Sequence, residues 1–131
     1  MAKKITQNDQ ILIYQTRDGN TQIDVRIENE TVWLNAEQMA LLFERDSKTI
    51  RKHIDNAIKE ELAGDVVVAK FATTTQHGAI KGKTQTKEVN YYNLDVIISV
   101  GYRVKSKRGV LFRQWANKIL KEYLVKGFAI N

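Results

Sequence analysis

The chain is 131 residues long, 43% hydrophobic and 27% charged, enough for one domain with a core, and its lack of cysteine excludes disulfides, thiolate metal sites and a cysteine nucleophile. Its net charge of +6 is unevenly placed: residues 1–34 carry 4 basic and 5 acidic side chains, 35–64 carry 5 and 6, 65–92 carry 4 and 2, and 93–131 carry 8 and 2. No apolar run approaches the ~18 residues of a membrane span and MAKKITQNDQ lacks a hydrophobic signal core, so a soluble, cytoplasmic protein with no membrane partner is expected.

Residues 1–9 are polar and expected to be loose. Ile11–Tyr14 and Gln22–Glu28 read as two strands around Arg17-Asp18-Gly19-Asn20, where Asp-Gly is a hairpin turn signal. In the second strand Ile23, Val25 and Ile27 face one way, with Asp24, Arg26 and Glu28 on the other. Asn29-Glu30 allows a further turn into a short strand, Thr31–Leu34, whose Trp33 is expected to be a core anchor.

Val32–Ile58 is written as two helices joined by a tight turn. Asn35 is an N-cap with Gln38 completing a capping box, and Met39, Ala40, Leu42 and Phe43 form the inner stripe. Glu44-Arg45-Asp46 breaks that stripe, with Glu44 standing where a turn glycine is common, and Ser47 is expected to cap the second helix. There Ile50, Ile54, Ala57 and Ile58 fix the buried side. The opposite side holds Lys48, Thr49, Lys52, Asp55, Asn56 and Lys59, flanked by Arg51 and His53, and can meet phosphates and base edges. The spacing from Ala40 to Ile50 suits a helix-turn-helix pair, although an ordinary helical hairpin with a solvated face shares it.

Ala63-Gly64-Asp65 stops the helix, with Gly64 as its cap. Val66–Thr75 and Thr86–Tyr92 read as two strands with a basic tip at Gln76–Gln85, the outline of a wing. A loop with no partner is the competing reading of that tip. Asn93 then caps a helix with Leu94, Ile97, Ile98 and Gly101 on one face, ending at Lys105. Ser106 is expected to cap the longest helix, Lys107 to Lys126, closed by Gly127. Its stripe of Leu111, Phe112, Trp115, Ala116, Ile119, Leu120, Tyr123 and Leu124 reads first as core and second as a homodimer seam.

Catalytic patterns are absent. Gly82-Lys83-Thr84 lacks the earlier glycine of a phosphate loop, His77 standing in its place, and a strand rather than a helix follows. His53 and His77 have no zinc-helix spacing, and no serine sits in a G-x-S-x-G elbow. No enzyme, cofactor or metal is expected.

ILIYQTRDGNTQIDVRIENETVWLNAEQMALLF and VNYYNLDVIISVGYRVKSKRGVLFRQWANKILKEYLVKGFAIN make the chain resemble the RhuM-type virulence protein family. That resemblance implies a relation to the N-terminal DNA-binding modules of phage antirepressors, and that the 1–131 domain can be part of a longer protein. The expected fold is α+β, a winged helix-turn-helix with an N-terminal β-hairpin and a long C-terminal helix. The expected function is sequence-specific binding of double-stranded DNA by a transcriptional regulator of phage or mobile-element type. DNA would be met by Arg45, Lys48, Thr49, Arg51, Lys52 and Asn56 of the helix pair and by Lys81, Lys83 and Lys87 of the wing. Arg103, Lys105, Lys107, Arg108 and Arg113, in a run with no acid between Asp95 and Glu122, would hold phosphates. The alternative is a protein–protein module, an antirepressor or toxin-system partner, docking through the acidic first half.

Overall fold

Strand-forming residues, with Ile23, Val25 and Ile27 at period-2 spacing, open the first described segment, and the computed structural model, which describes residues 10–63, 67–76 and 84–123, gathers them into one antiparallel sheet. Its strands are β1 (Gln10–Gln15), β2 (Gln22–Glu28), β3 (Thr31–Asn35), β4 (Val68–Gln76) and β5 (Thr84–Asn93), in spatial order β1-β2-β3-β5-β4. The helices are α1 (Ala36–Phe43), α2 (Ser47–Glu60), α3 (Leu94–Arg103) and α4 (Arg108–Glu122). The α+β class expected from the sequence is therefore observed. The cap at Gly64, the strand start at Val66, the loop 77–83 and the C-cap at Gly127 lie outside the described residues.

The first hairpin is fixed by its turn chemistry. Gly19 takes φ +77°, which a side chain would resist, and Asp18 Oδ1 accepts from the Thr16 hydroxyl at 2.7 Å and the Asn20 N–H at 3.0 Å. Asn29 and Glu30, both left-handed at φ 55° and 64°, make the two-residue link from β2 to β3. Strand β4 ends one residue later and β5 starts two residues earlier than the expected Thr75 and Thr86, because the β4–β5 ladder continues to Gln76 opposite Thr84.

The sheet's two faces differ. Tyr14, Ile23, Val25, Ile27, Val32 and Leu34 meet the helices in the main core, with Met39, Leu42, Phe43, Ile50, Ile54, Ile97 and Phe112. Burying such side chains supplies roughly 1.5–3 kcal/mol each. On the other face Trp33, Phe71 and Tyr91 form a separate cluster, edge to face at 5.9 and 5.2 Å, with the Arg26 guanidinium 4.3 Å above the Phe71 ring. Trp33 is the core anchor expected, but on the side away from the helices, its indole N–H donating to Glu28 O at 2.8 Å.

Two helix starts differ from expectation. The cap of α2 is Asp46, whose Oδ1 accepts from the Thr49 N–H at 2.6 Å, so Ser47 is the first helical residue. Asp reaches the third N–H as well as Ser does and adds a negative charge at the positive helix end. In α4 helical geometry already includes Lys107, and the Ser106 hydroxyl accepts only from the Arg108 N–H at 3.2 Å. The expected caps Asn35 and Asn93 are both observed, the first with its full capping box. Among the described residues the apolar stripe of α4 is core: Phe112 and Ala116 are fully buried, and Trp115, Ile119, Leu120 and Tyr123 pack against the same cluster, while Leu124 and the expected helix end at Lys126 lie outside them.

Candidate nucleic-acid interface

The helix pair turns through a left-handed residue. Glu44 takes φ 57°, ψ 48°, and the Arg45 N–H reaches back to Ala40 O at 3.1 Å, closing α1 as a glycine would at the cost of crowding around Cβ. Beyond the turn, α2 buries Ile50, Ile54 and Ala57 and leaves Ile58 half-buried. Lys48, Arg51, Lys52, Asp55 and Lys59 are exposed, while Thr49, His53 and Asn56 are half-buried beside them. The outward surface of α2 is thus the one its isoleucine spacing demands.

Four of the five arginines expected at the interface have partners within the same chain. Arg51 Nη2 pairs with Glu37 Oε2 at 2.8 Å, beside a cleft between α1, α2 and β5 that Glu88 and Asn90 also line. Arg45 donates to Phe43 O at 3.0 Å and to Val104 O at 2.7 Å. Arg108 donates to Leu42 O at 3.2 Å and Leu41 O at 3.4 Å, with Asp18 at 3.3 Å and Glu44 at 3.4 Å. Carbonyls at a helix C-terminus lack intrahelical donors, so guanidinium groups are well suited to them. Arg103 bridges Glu60 at 3.0 Å and Glu61 at 3.2 Å and lies near the Ser99 hydroxyl.

The lysines remain outside. Lys48, Lys52, Lys105 and Lys107 are exposed and form no ion pair among the described residues. Arg113 is half-buried at a small pocket with Ile98, Gly101, Tyr102, Gly109 and Val110. Lys87 is exposed, and strand alternation puts it with Val89 and Tyr91 on the sheet face away from α1 and α2. Lys81 and Lys83 lie outside the described residues. The sequence reading missed the acidic partners Asp18, Glu37, Glu44, Glu60 and Glu61; the slight acidic surplus of residues 1–34 and of 35–64 was their only signal.

Two carboxyls near these turns titrate low. The Asp46 carboxyl is held below the usual aspartate range, first by its bond from the Thr49 backbone N–H. Asp18 is lowered first by the Thr16 hydroxyl, then by the Asn20 N–H, with Arg108 a smaller cause. Burial raises Tyr14, whose ring meets Phe112 at 5.1 Å and Trp115 at 5.0 Å.

Among the described residues no helix is long and apolar enough to cross a membrane. No curated protein and no solved structure matches the chain. A family model does, over residues 66–131, which hold β4, β5, α3 and α4 but not the α1–α2 pair. That match spans half of the sequence and includes the segment from Val89 onward that carried the resemblance, so the chain belongs to the RhuM family of virulence proteins.

Proposed function

We propose that the protein binds double-stranded DNA in a sequence-specific manner, as a winged helix-turn-helix whose reading element is α2. One observation carries this: α2 is anchored by Ile50, Ile54 and Ala57, and presents Lys48, Lys52 and Lys59, with Asn56 beside them, on its outward side. A short left-handed turn joins it to α1, and the antiparallel β4–β5 hairpin follows as the wing. An outward helix of this kind fits the major groove, where Asn pairs with adenine and Lys reaches guanine, each discriminating by roughly 1–3 kcal/mol. Family membership rests on β4 to α4, so the reading of the helix pair rests on its own geometry.

In this reading Lys105 and Lys107 hold phosphates, and Arg45, Arg103 and Arg108 act by bracing the helices. A cytoplasmic regulator of mobile-element type, with no catalytic role, is the setting that suits it. The rival is a protein-docking module, favoured by the ion pairs that bind Arg51, Arg103 and Arg108 to acids of the same chain. The test is a gel-shift on a site selected from a random duplex pool, across a salt series. Lys52→Ala and Asn56→Ala should weaken the selected site far more than random duplex. Lys105→Ala with Lys107→Ala should weaken both alike and flatten the salt slope by about one to two units. No binding at low salt would sink the DNA reading and leave the rival.

A further inference from the structure

The β1 edge of the sheet carries no charged residue and no proline: Gln10–Gln15 reads QILIYQ. Its inner side chains Leu12 and Tyr14 pack against the core, whereas Ile11 and Ile13 on the outer face are 49% and 61% exposed. Strand β1 pairs with β2 on one side and, being first in the sheet order, has no strand on its other side among the described residues. Natural edges are usually guarded by charge, proline or a bulge, because unpaired N–H and C=O groups otherwise recruit another strand. At the opposite edge, β4 exposes Lys70, a guard of that kind.

We infer that β1 is a self-pairing edge, joined antiparallel to β1 of a second copy about a two-fold axis at Leu12. The spacing selects that occupant. Antiparallel partners must lie on the same sheet face, and a two-fold axis at Leu12 sets Ile11 of each copy opposite Ile13 of the other. All four exposed isoleucines then meet across the seam, with no charge opposed anywhere along it. Cross-strand β-branched pairs contribute roughly 0.2–1 kcal/mol each, in addition to the backbone bonds. The inference is independent of what α2 binds. It replaces α4 as the seam, since the α4 stripe is occupied by this chain's own core. One strand seam buries less than the ~1,000 Å² of a stable interface, so the dimer is weak and concentration-dependent.

The experiment is sedimentation velocity on the full chain from micromolar to millimolar concentration. A monomer–dimer equilibrium is expected, and Ile13→Lys, at a site exposed enough to leave folding intact by circular dichroism, should weaken it at least tenfold. Register is tested by cysteines, which the chain otherwise lacks. Ile11→Cys mixed with Ile13→Cys should cross-link on mild oxidation much faster than either alone, because opposed residues lie about 5 Å apart at Cα and like residues farther. A monomer at every concentration overturns the inference. A dimer untouched by Ile13→Lys, or equal cross-linking in each single variant, overturns it too.

Discussion

The helical hairpins α1–α2 and α3–α4 solve the same turn in the same way but sit in the molecule differently. Each first helix ends on a charged residue in the left-handed region, Glu44 at φ 57° and Lys105 at φ 56°. In each, the following N–H bonds back to a carbonyl of the last turn, Arg45 to Ala40 and Ser106 to Gly101, both at 3.1 Å. Each turn also supplies an arginine to the other: Arg45 reaches Val104 O and Arg108 reaches Leu41 O and Leu42 O. The difference is burial. Helix α3 is the more covered, with Leu94, Val96, Ile97, Ser99, Val100 and Gly101 buried and Asp95 and Tyr102 left exposed, whereas α2 buries a single stripe. The more of a helix the core takes up, the less surface it has for a ligand, and α2 keeps the larger free side.

The comparison breaks most severely at Phe43, whose ring joins the two hairpins. A Cβ on Gly101 would lie 3.3 Å from that ring and 3.6 Å from Gly109 Cα, so the helices approach because neither glycine has a side chain. Phe43 is 1% exposed, and Phe43→Ala should cost about 3–5 kcal/mol in urea unfolding. Next comes the brace. Arg108→Ala strands two helix-end carbonyls and should cost about 1.5–3 kcal/mol, as charge-assisted bonds do. A double-mutant cycle with Arg45→Ala should show coupling, since both arginines hold the same pair of turns. Strict additivity would show two unrelated caps.

Smaller effects sharpen the contrast. Asn35→Ala removes a complete capping box and should cost about 1 kcal/mol by thermal melting. Ser106→Ala, losing one bond to the Arg108 N–H, should cost less. At the left-handed residues, Lys105→Gly should stabilise by up to about 1 kcal/mol by relieving strain. Glu44→Gly should gain less, because it also loses the Arg108 pairing. The smallest expected effect is on pH. Asp46 and Asp18 have folded pKa values below the ordinary carboxylate value. Their stabilisation is therefore present above that ordinary value and lost as pH falls through the lowered one. Asp46→Asn keeps an acceptor at the cap and should flatten the acid limb of a stability–pH curve. An unchanged limb would place the loss elsewhere.

What could be read from sequence was local. The order of the nine elements among the described residues, the caps Asn35 and Asn93, the Gly19 turn and the inward isoleucines of α2 all depend on residues within a few positions of each other. Periodicities and capping preferences encode such relations directly. The cap of α2 went to Asp46 rather than Ser47 because the two neighbours compete for one N–H set, and only the turn's path selects between them. The basic run from Arg103 to Arg113 read as one phosphate-holding patch, yet its residues have separate neighbourhoods. Arg103 meets Glu60 and Glu61, Arg108 meets Asp18 and Glu44, Arg113 lies half-buried at a small pocket, and Lys105 and Lys107 stay exposed with no ion pair among the described residues. Those partners lie from 42 positions (Arg103 to Glu61, 103 − 61) to 90 positions (Arg108 to Asp18) away in the chain. Charge counted along a sequence gives the quantity of basic side chains. How much of it remains for a ligand is decided by long-range packing, which brings acids and open helix-end carbonyls within reach of the longest side chains.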